Sequence, residues 1–402
     1  MFSQDSDGKL PFGEFVALIA LMFSLVAMSI DGMLPALPAI GADLSVSDPN
    51  DTQLVVSSLF FGLAFGQLLA GPLSDSFGRK PIIYAGLFLF MGGCLLSIFA
   101  PSFRWMIVGR VLQGVGAAAP RIVTIALVRD QYEGRAMARV MSFALSVFIL
   151  VPAVAPALGQ GILFIAGWRA IFMTFLLIAL MTSLWFALRQ PETLPPGRRS
   201  VFSVSRISLA AREVCTTRGA IGHTLATGLI FAAFVGYLSS AQQIFQQTYG
   251  VGKLFPVYFA ALALSIGAAS VINGRLVIRH GMRKISITAV HALAALALVF
   301  LMVAWTLDGI PPLWLFMSFF LSMFFCVGLL FGNLNALSME PLGHIAGVGA
   351  AVVGFVATFI SVPIGAAIGQ AYDGTVMALS VGFSLFGVGA LAVMRWAQRR
   401  IR

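Results

Sequence analysis

The chain has 402 residues; 59% are hydrophobic, 10% are charged, and the mean hydropathy is +0.96. A water-soluble fold of this length cannot hide that much apolar surface, so the composition is that of an integral membrane protein. The formal charge of +10 does not signify nucleic-acid binding, because the cations cluster on the short segments between apolar runs.

Twelve apolar runs, each able to span ~30 Å of hydrocarbon, lie at about 15–40, 52–73, 80–100, 103–129, 137–162 and 168–188, then 219–247, 254–279, 283–306, 312–337, 343–371 and 375–396. Runs of this length are helices, not the alternating ten-residue strands of an outer-membrane barrel. No signal peptide with a cleavage site precedes the first run, so that run is expected to stay in the protein. Cys94, Cys215 and Cys326 are far apart and suggest neither a disulfide framework nor a metal cluster. No metal and no cofactor is expected.

With the N-terminus in the cytoplasm and loops assigned alternately, 20 of the 25 Lys/Arg fall on the cytoplasmic side. They include Arg79, Lys80, Arg135, Arg139, Arg279, Arg283, Lys284 and Arg399, while only Arg104, Arg169 and Lys253 fall outside. This bias predicts a multi-pass protein of the bacterial inner membrane with both termini cytoplasmic. The outer loops carry Asp43, Asp48, Asp51, Asp308 and Asp373.

Residues 189–218 are the one long polar break, with six arginines and no aspartate. They separate an N-terminal half, 1–188, from a C-terminal half, 219–402. Val201, Val204, Ile207, Ala211 and Val214 recur at helical spacing, which fits a short amphipathic helix on the inner membrane surface as well as a solvated linker. An internal repeat supports the division. GPLSDSFGRKPI from Gly71 returns as GRLVIRHGMRKI from Gly274, half a chain later. Two six-helix halves joined by a cytoplasmic linker is the architecture of many secondary transporters.

GPLSDSFGRKP resembles the loop 2–3 motif of the major facilitator superfamily nearly in full. IDGMLPALPAI from Ile30, VGRVLQGVGAA from Val108 and VPAVAPALGQG from Val151 resemble first-, fourth- and fifth-helix motifs of its twelve-helix drug:proton antiporters. LVRDQY and GWRAIF look like the bicyclomycin/chloramphenicol-resistance branch. The fifth-helix match departs from the pattern at Ala155 and Gln160, and Phe23 and Ser24 stand where some cation exporters carry a second acid. The resemblance implies an all-α membrane fold of twelve helices in two pseudo-symmetric halves. It also implies export of small organic molecules, drugs among them, in exchange for protons, by a monomer that rocks between two open states. The alternative is a dedicated exporter or importer of one metabolite: an amino-acid derivative, siderophore or organic acid. An enzyme is not expected, because there is no HExxH, no intramembrane acid pair, and the four histidines are scattered. A transporter-like receptor without turnover is the remaining reading.

Asp31 lies ~24 Å along the first run at 1.5 Å per residue. A charge near mid-membrane costs roughly 2.5–3.5 kcal/mol on insertion scales and so needs protein or water around it. Burial disfavours an ionised carboxylate and a nearby cation favours it, so alternation between such surroundings takes up and releases a proton. The plain reading is a fixed salt bridge. Arg110, at similar depth, is the expected partner, and the resemblance implicates it in proton coupling; otherwise it packs helices by bonding backbone carbonyls. Arg121 shares its face, ~16 Å further in. It suits a carboxylate, phosphate or polar oxygen of a substrate, or it turns to the inner surface and pairs with Asp130 or Glu133. The three intramembrane charges sum to one positive, which disfavours permanently cationic substrates.

Asp75, Arg79 and Asp130, with Gly71 and Gly78, sit at the cytoplasmic ends of the second and fourth helices. In the resembled family such residues latch the halves in the outward-facing state, the acid facing a helix N-terminus. Plain positive-inside anchoring explains Arg79 and Lys80 but not Asp75. Pro152, Pro156, Gly159 and Gly161 in the fifth helix, with Gly114 and Gly116 in the fourth, permit bending or close packing. Phe234, Tyr237 and Gln242 of the seventh helix, and Phe331, Asn333 and Asn335 of the tenth, fit a drug-sized site or interhelical packing. His291 is read as structural.

Overall fold

The computed structural model describes residues 10–398; Arg399, counted above on the cytoplasmic side, lies outside them. In chain order the first half contains α1 (Phe12–Asp31), a short α2 (Leu37–Asp43), α3 (Leu54–Phe77), α4 (Arg79–Ile98), α5 (Phe103–Gln131), α6 (Gly134–Ala166) and α7 (Trp168–Arg189). Then come α8 (Val204–Thr216), α9 (Arg218–Gln243), α10 (Phe255–His280), α11 (Met282–Thr306), α12 (Leu313–Met339), α13 (Ala346–Gln370) and α14 (Met377–Gln398). Leaving out the short α2 and α8, twelve helices of at least 20 residues remain among the described residues, long and apolar enough to cross a bilayer; α12 and α13 share one continuous apolar stretch.

These helices are apolar on nearly every side, as helices must be when lipid replaces water and each backbone group is satisfied within its own segment. Large side chains such as Ile165 (88% exposed) and Ile278 (89% exposed) point outward, where only hydrocarbon suits them. Within the first half, α5 packs on α3 and α4; within the second, α9 packs on α13 and α14. The halves meet along two seams, α3 with α13 and α6 with α10.

The first apolar run is not one straight helix. α1 stops at Asp31, and the chain continues through a 3-10 turn, Leu34–Ala36, into α2. Pro35 has no N–H for the carbonyl of Asp31, and Pro38 has none for that of Leu34, so the helix cannot continue. The acid therefore stands at a break in the helix.

The amphipathic segment of the polar break does form a helix, α8, but its apolar face is turned onto protein instead of membrane. Ala210 and Val214 pack with Leu342, Val352 and Val353 of the second half. Val201 precedes the helix, and Val204 and Leu209 are exposed. The linker end of the bundle is the one that carries this segment, the α3–α4 junction and the α10–α11 junction. The far end carries α2, the turn after it, and the loops after α9, α11 and α13.

Candidate functional site

Asp31 is 5% exposed, in the interior of the bundle. No cation lies within ion-pair distance of it among the described residues. The expected pairing with Arg110 is absent, and the local backbone explains why. Because α1 ends at Asp31, the carbonyl of Ser29 has no N–H four residues on to accept from. Arg110 fills that vacancy: its Nη2 donates to Ser29 O at 2.8 Å, its Nε to Val55 O at 2.9 Å, and its Nη1 to Gln113 Oε1 at 2.6 Å. Gln113 is fixed in turn by donating to Ser97 Oγ at 3.0 Å. The fully buried guanidinium lies 5.8 Å from the Phe172 ring centre. Arg110 thus pins the end of α1 to α3, two residues before Asp31.

In the other half, Tyr237 is within electrostatic reach of Asp31. Its ring sits among Phe259, Phe320 and Phe324, and its hydroxyl is buried with no hydrogen-bond partner. Gly159 of α6 closes the same region from the other side. A Cβ there would stand 1.7 Å from the carbonyl oxygen of Gly32, so only glycine lets α6 approach the end of α1.

Arg121 lies on the same face of α5 as Arg110 and is half-buried. Unlike Arg110, it has neither a hydrogen bond nor an ion pair among the described residues. The alternative pairing with Asp130 is excluded in this conformation, since Asp130 is taken by Arg79 at 2.9 Å. In the second half, Phe231, Phe234 and Phe331 form an aromatic cluster with ring centres 5.8–6.0 Å apart. Phe231 also touches Phe60 of α3 at 5.6 Å, which puts the cluster on the seam between halves. Gln242 is buried and donates to Gln246 at 2.8 Å. Asn335 is exposed and touches none of these groups; its neighbour Asn333 exchanges two amide hydrogen bonds with Asn273. His291 is bonded to Ile287 O and Arg395.

At the linker end Arg79 gathers the loop 2–3 acids. It donates to Asp75 and to Asp130, and also to Ser74 at 2.9 Å. Gly78 has φ +107°, a backbone conformation that glycine accommodates without strain. The polar break straps this group. Glu192 accepts from the backbone N–H of Arg79 and Lys80, both at 3.0 Å, and so caps α4. Thr193 donates to Asp130 at 3.1 Å, and Ser200 N–H to the carbonyl of Asp75 at 2.9 Å. Asp75 faces the second half: a side chain on Gly347, in the first turn of α13, would meet its carboxylate at 3.9 Å. Gly71 faces Ala351 of α13. A cavity of about 760 Å³ opens beside it, lined by Asp75, Arg206, Arg212, Glu213, His344 and Gly347.

Sequence reasoning passed over Asn50, Gln53 and Gln243 at the far end. The available signal was an amide at the end of an apolar run, where a polar side chain needs a partner.

The model of the Major Facilitator Superfamily matches residues 19–370. The chain is 29% identical over 388 residues to an uncharacterized MFS-type transporter, YdgK, of Bacillus subtilis, covering 96% of this chain and 95% of that one. It is 27% identical over 382 residues to a bicyclomycin resistance protein homolog of Haemophilus influenzae, covering 94% of each. Its fold matches the crystal structure of the human organic anion transporter MFSD10 with a TM-score of 0.72 at 17% identity, over 97% of this chain and all of the other.

Proposed function

Because the chain belongs to the Major Facilitator Superfamily and is a multi-pass membrane transporter, we propose that it exports small organic molecules, drugs among them, in exchange for protons. The halves 1–188 and 219–402 rock about the seams, linked by 189–218. The linker end faces the cytoplasm of a bacterial cell, a placement that the distribution of Lys and Arg supports, and the working unit is one chain. The resistance named for the Haemophilus influenzae relative supports drugs as cargo.

The observation that carries this reading is Asp31. It is a buried acid at a helix break, without an ionic partner among the described residues, within electrostatic reach of Tyr237 in the opposite half. An ionised carboxylate there needs water, and a protonated one tolerates a closed, dry cavity. Proton and substrate therefore compete for one deprotonated, hydrated state, which suffices for antiport. Arg110 acts on Asp31 through the helix end that it holds. Pro152, Pro156 and Gly159 shape α6 beside that end. Substrate lies between Arg121, whose donors are free for an oxygen acceptor, and the ring edges of Phe231, Phe234 and Phe331. Asp75, Arg79 and Asp130, framed by Gly71 and Gly78, latch the linker end.

The unpaired guanidinium of Arg121 also favours a second reading, a dedicated transporter for a metabolite that carries a carboxylate. Growth of an efflux-deficient host expressing wild type or Asp31→Asn, on neutral, zwitterionic, anionic and cationic antibiotics, separates the cases at matched expression. Protection against several compounds, abolished by Asp31→Asn, is the expected result. Protection against none moves the weight to the metabolite. Equal protection by both proteins makes Asp31 structural and defeats the coupling scheme.

A further inference from the structure

The far end of the seam holds a group of side chains that neither coupling nor substrate binding uses. Gln53 Nε2 donates to Gln243 Oε1, and Gln243 Nε2 donates to Asn50 Oδ1 at 2.9 Å. Asn50 Nδ2 donates to the carbonyls of Gln370 and Tyr372 at 3.1 and 2.8 Å, and Gln370 Nε2 returns a bond to Asn50 O at 2.8 Å. One helical turn deeper, the hydroxyls of Ser57 and Ser239 lie 3.5 Å apart. Every one of these bonds joins the first half to the second. Every member is uncharged, and Gln53, Gln243, Ser57 and Ser239 are all buried.

Directional bonds between neutral amides suit a closure that must be dry when shut. Each bond is satisfied across the seam, and each is exchanged for water when the halves part, at a small net cost. One atom is left over: Gln53 Oε1 is buried and has no partner. Opening gives that oxygen to water, which keeps the closed form from becoming a trap. Gly369 of α13 is the position on which closure depends. A Cβ there would stand 2.0 Å from Gln53 Oε1 and 3.0 Å from the Cβ of Ser239. The Gln53 amide has to move away from that Cβ, and its movement disturbs the bond that the same amide makes to Gln243.

We propose that Asn50, Gln53 and Gln243 are the gate that closes the far end, made and broken once per transport cycle, and that Gly369 is what lets it shut. This assignment rests on membership of the superfamily and on the seam geometry, and stands whichever substrate is carried. The test is the full chain in lipid nanodiscs with the exposed Cys215 replaced by Ser. Spin labels at Ser47 and Lys253 report the far end, and labels at Arg135 and Lys284 report the linker end. Gly369→Ala, a favourable change for a helix interior, is expected to raise the open-to-closed ratio at the far end about tenfold, the worth of one net hydrogen bond. Gln243→Leu is expected to act in the same direction. An unchanged far-end distribution in folded Gly369→Ala overturns the gate. Should Gln243→Leu not fold, Gly369→Ala decides alone.

Discussion

At the far end the halves are joined directly, by buried neutral amides that reach from Asn50 and Gln53 to Gln243 and the end of α13. At the linker end Arg79, Asp75, Asp130 and Glu192 bond to one another within the first half and its strap, and Asp75 faces across. The side chains of Asp75 and Asp130 are 36% and 18% exposed, whereas Gln53 and Gln243 are 1% and 3% exposed. The difference follows from what burial costs. A charge taken out of water needs full compensation, while an amide needs only its hydrogen bonds. The far end is joined by amides, with no charge to desolvate; at the linker end the buried charge of Arg79 is offset by two carboxylates that keep contact with water.

Breaking the charged end most severely, Arg79→Ala leaves Asp75 and Asp130 facing each other without their cation. Transport is expected to fall about tenfold or more, measured as export from loaded cells at matched expression. The comparison is sharpened by combining Asp75→Asn with Gly369→Ala. Each biases the equilibrium from the opposite end, so the double variant is expected to return the far-end label distribution to within about twofold of wild type; additive displacement in one direction would deny that the two ends oppose each other. Salt separates the two chemistries. Between 0.1 M and 1 M the Debye length falls from about 10 to about 3 Å. The linker-end label populations are expected to shift about threefold, and those at the far end not at all. The smallest effect belongs to the strap: Glu192→Ala removes the cap of α4, worth about 1 kcal/mol, and lowers the melting temperature by about 1 °C.

Asp75, Arg79 and Asp130 were legible because charged residues stand out in a chain so poor in charge, and the spacing from Gly71 to Lys80 is short; Glu192, which caps α4 from the polar break, was not. The far-end gate was not. Gln53 and Gln243 are 190 residues apart, each is unremarkable beside its own apolar run, and their bond exists only because the two halves fold against each other. Arg110 was legible as an intramembrane cation at the depth of Asp31, and of its two readings the one that bonds backbone carbonyls is observed; which carbonyls it takes was not legible. That depends on a carbonyl that the break at Pro35 sets free, and two side chains at equal depth on different helices need not meet.

Hydrophobic runs, the charge asymmetry between loops and the repeated glycine–basic loop are local properties. By themselves they determined the apolar helices and singled out the interior charges Asp31, Arg110 and Arg121, and they are what suggests two halves. Which of those charges is satisfied was decided only by the tertiary structure. It gave Arg110 to backbone carbonyls, left Arg121 without a hydrogen bond or ion pair among the described residues, set Asp31 within electrostatic reach of Tyr237 and assembled a gate from neutral amides. In hydrocarbon the drive to bury is spent in forming the helices, and what remains to choose partners is close packing and hydrogen bonds between segments remote in sequence.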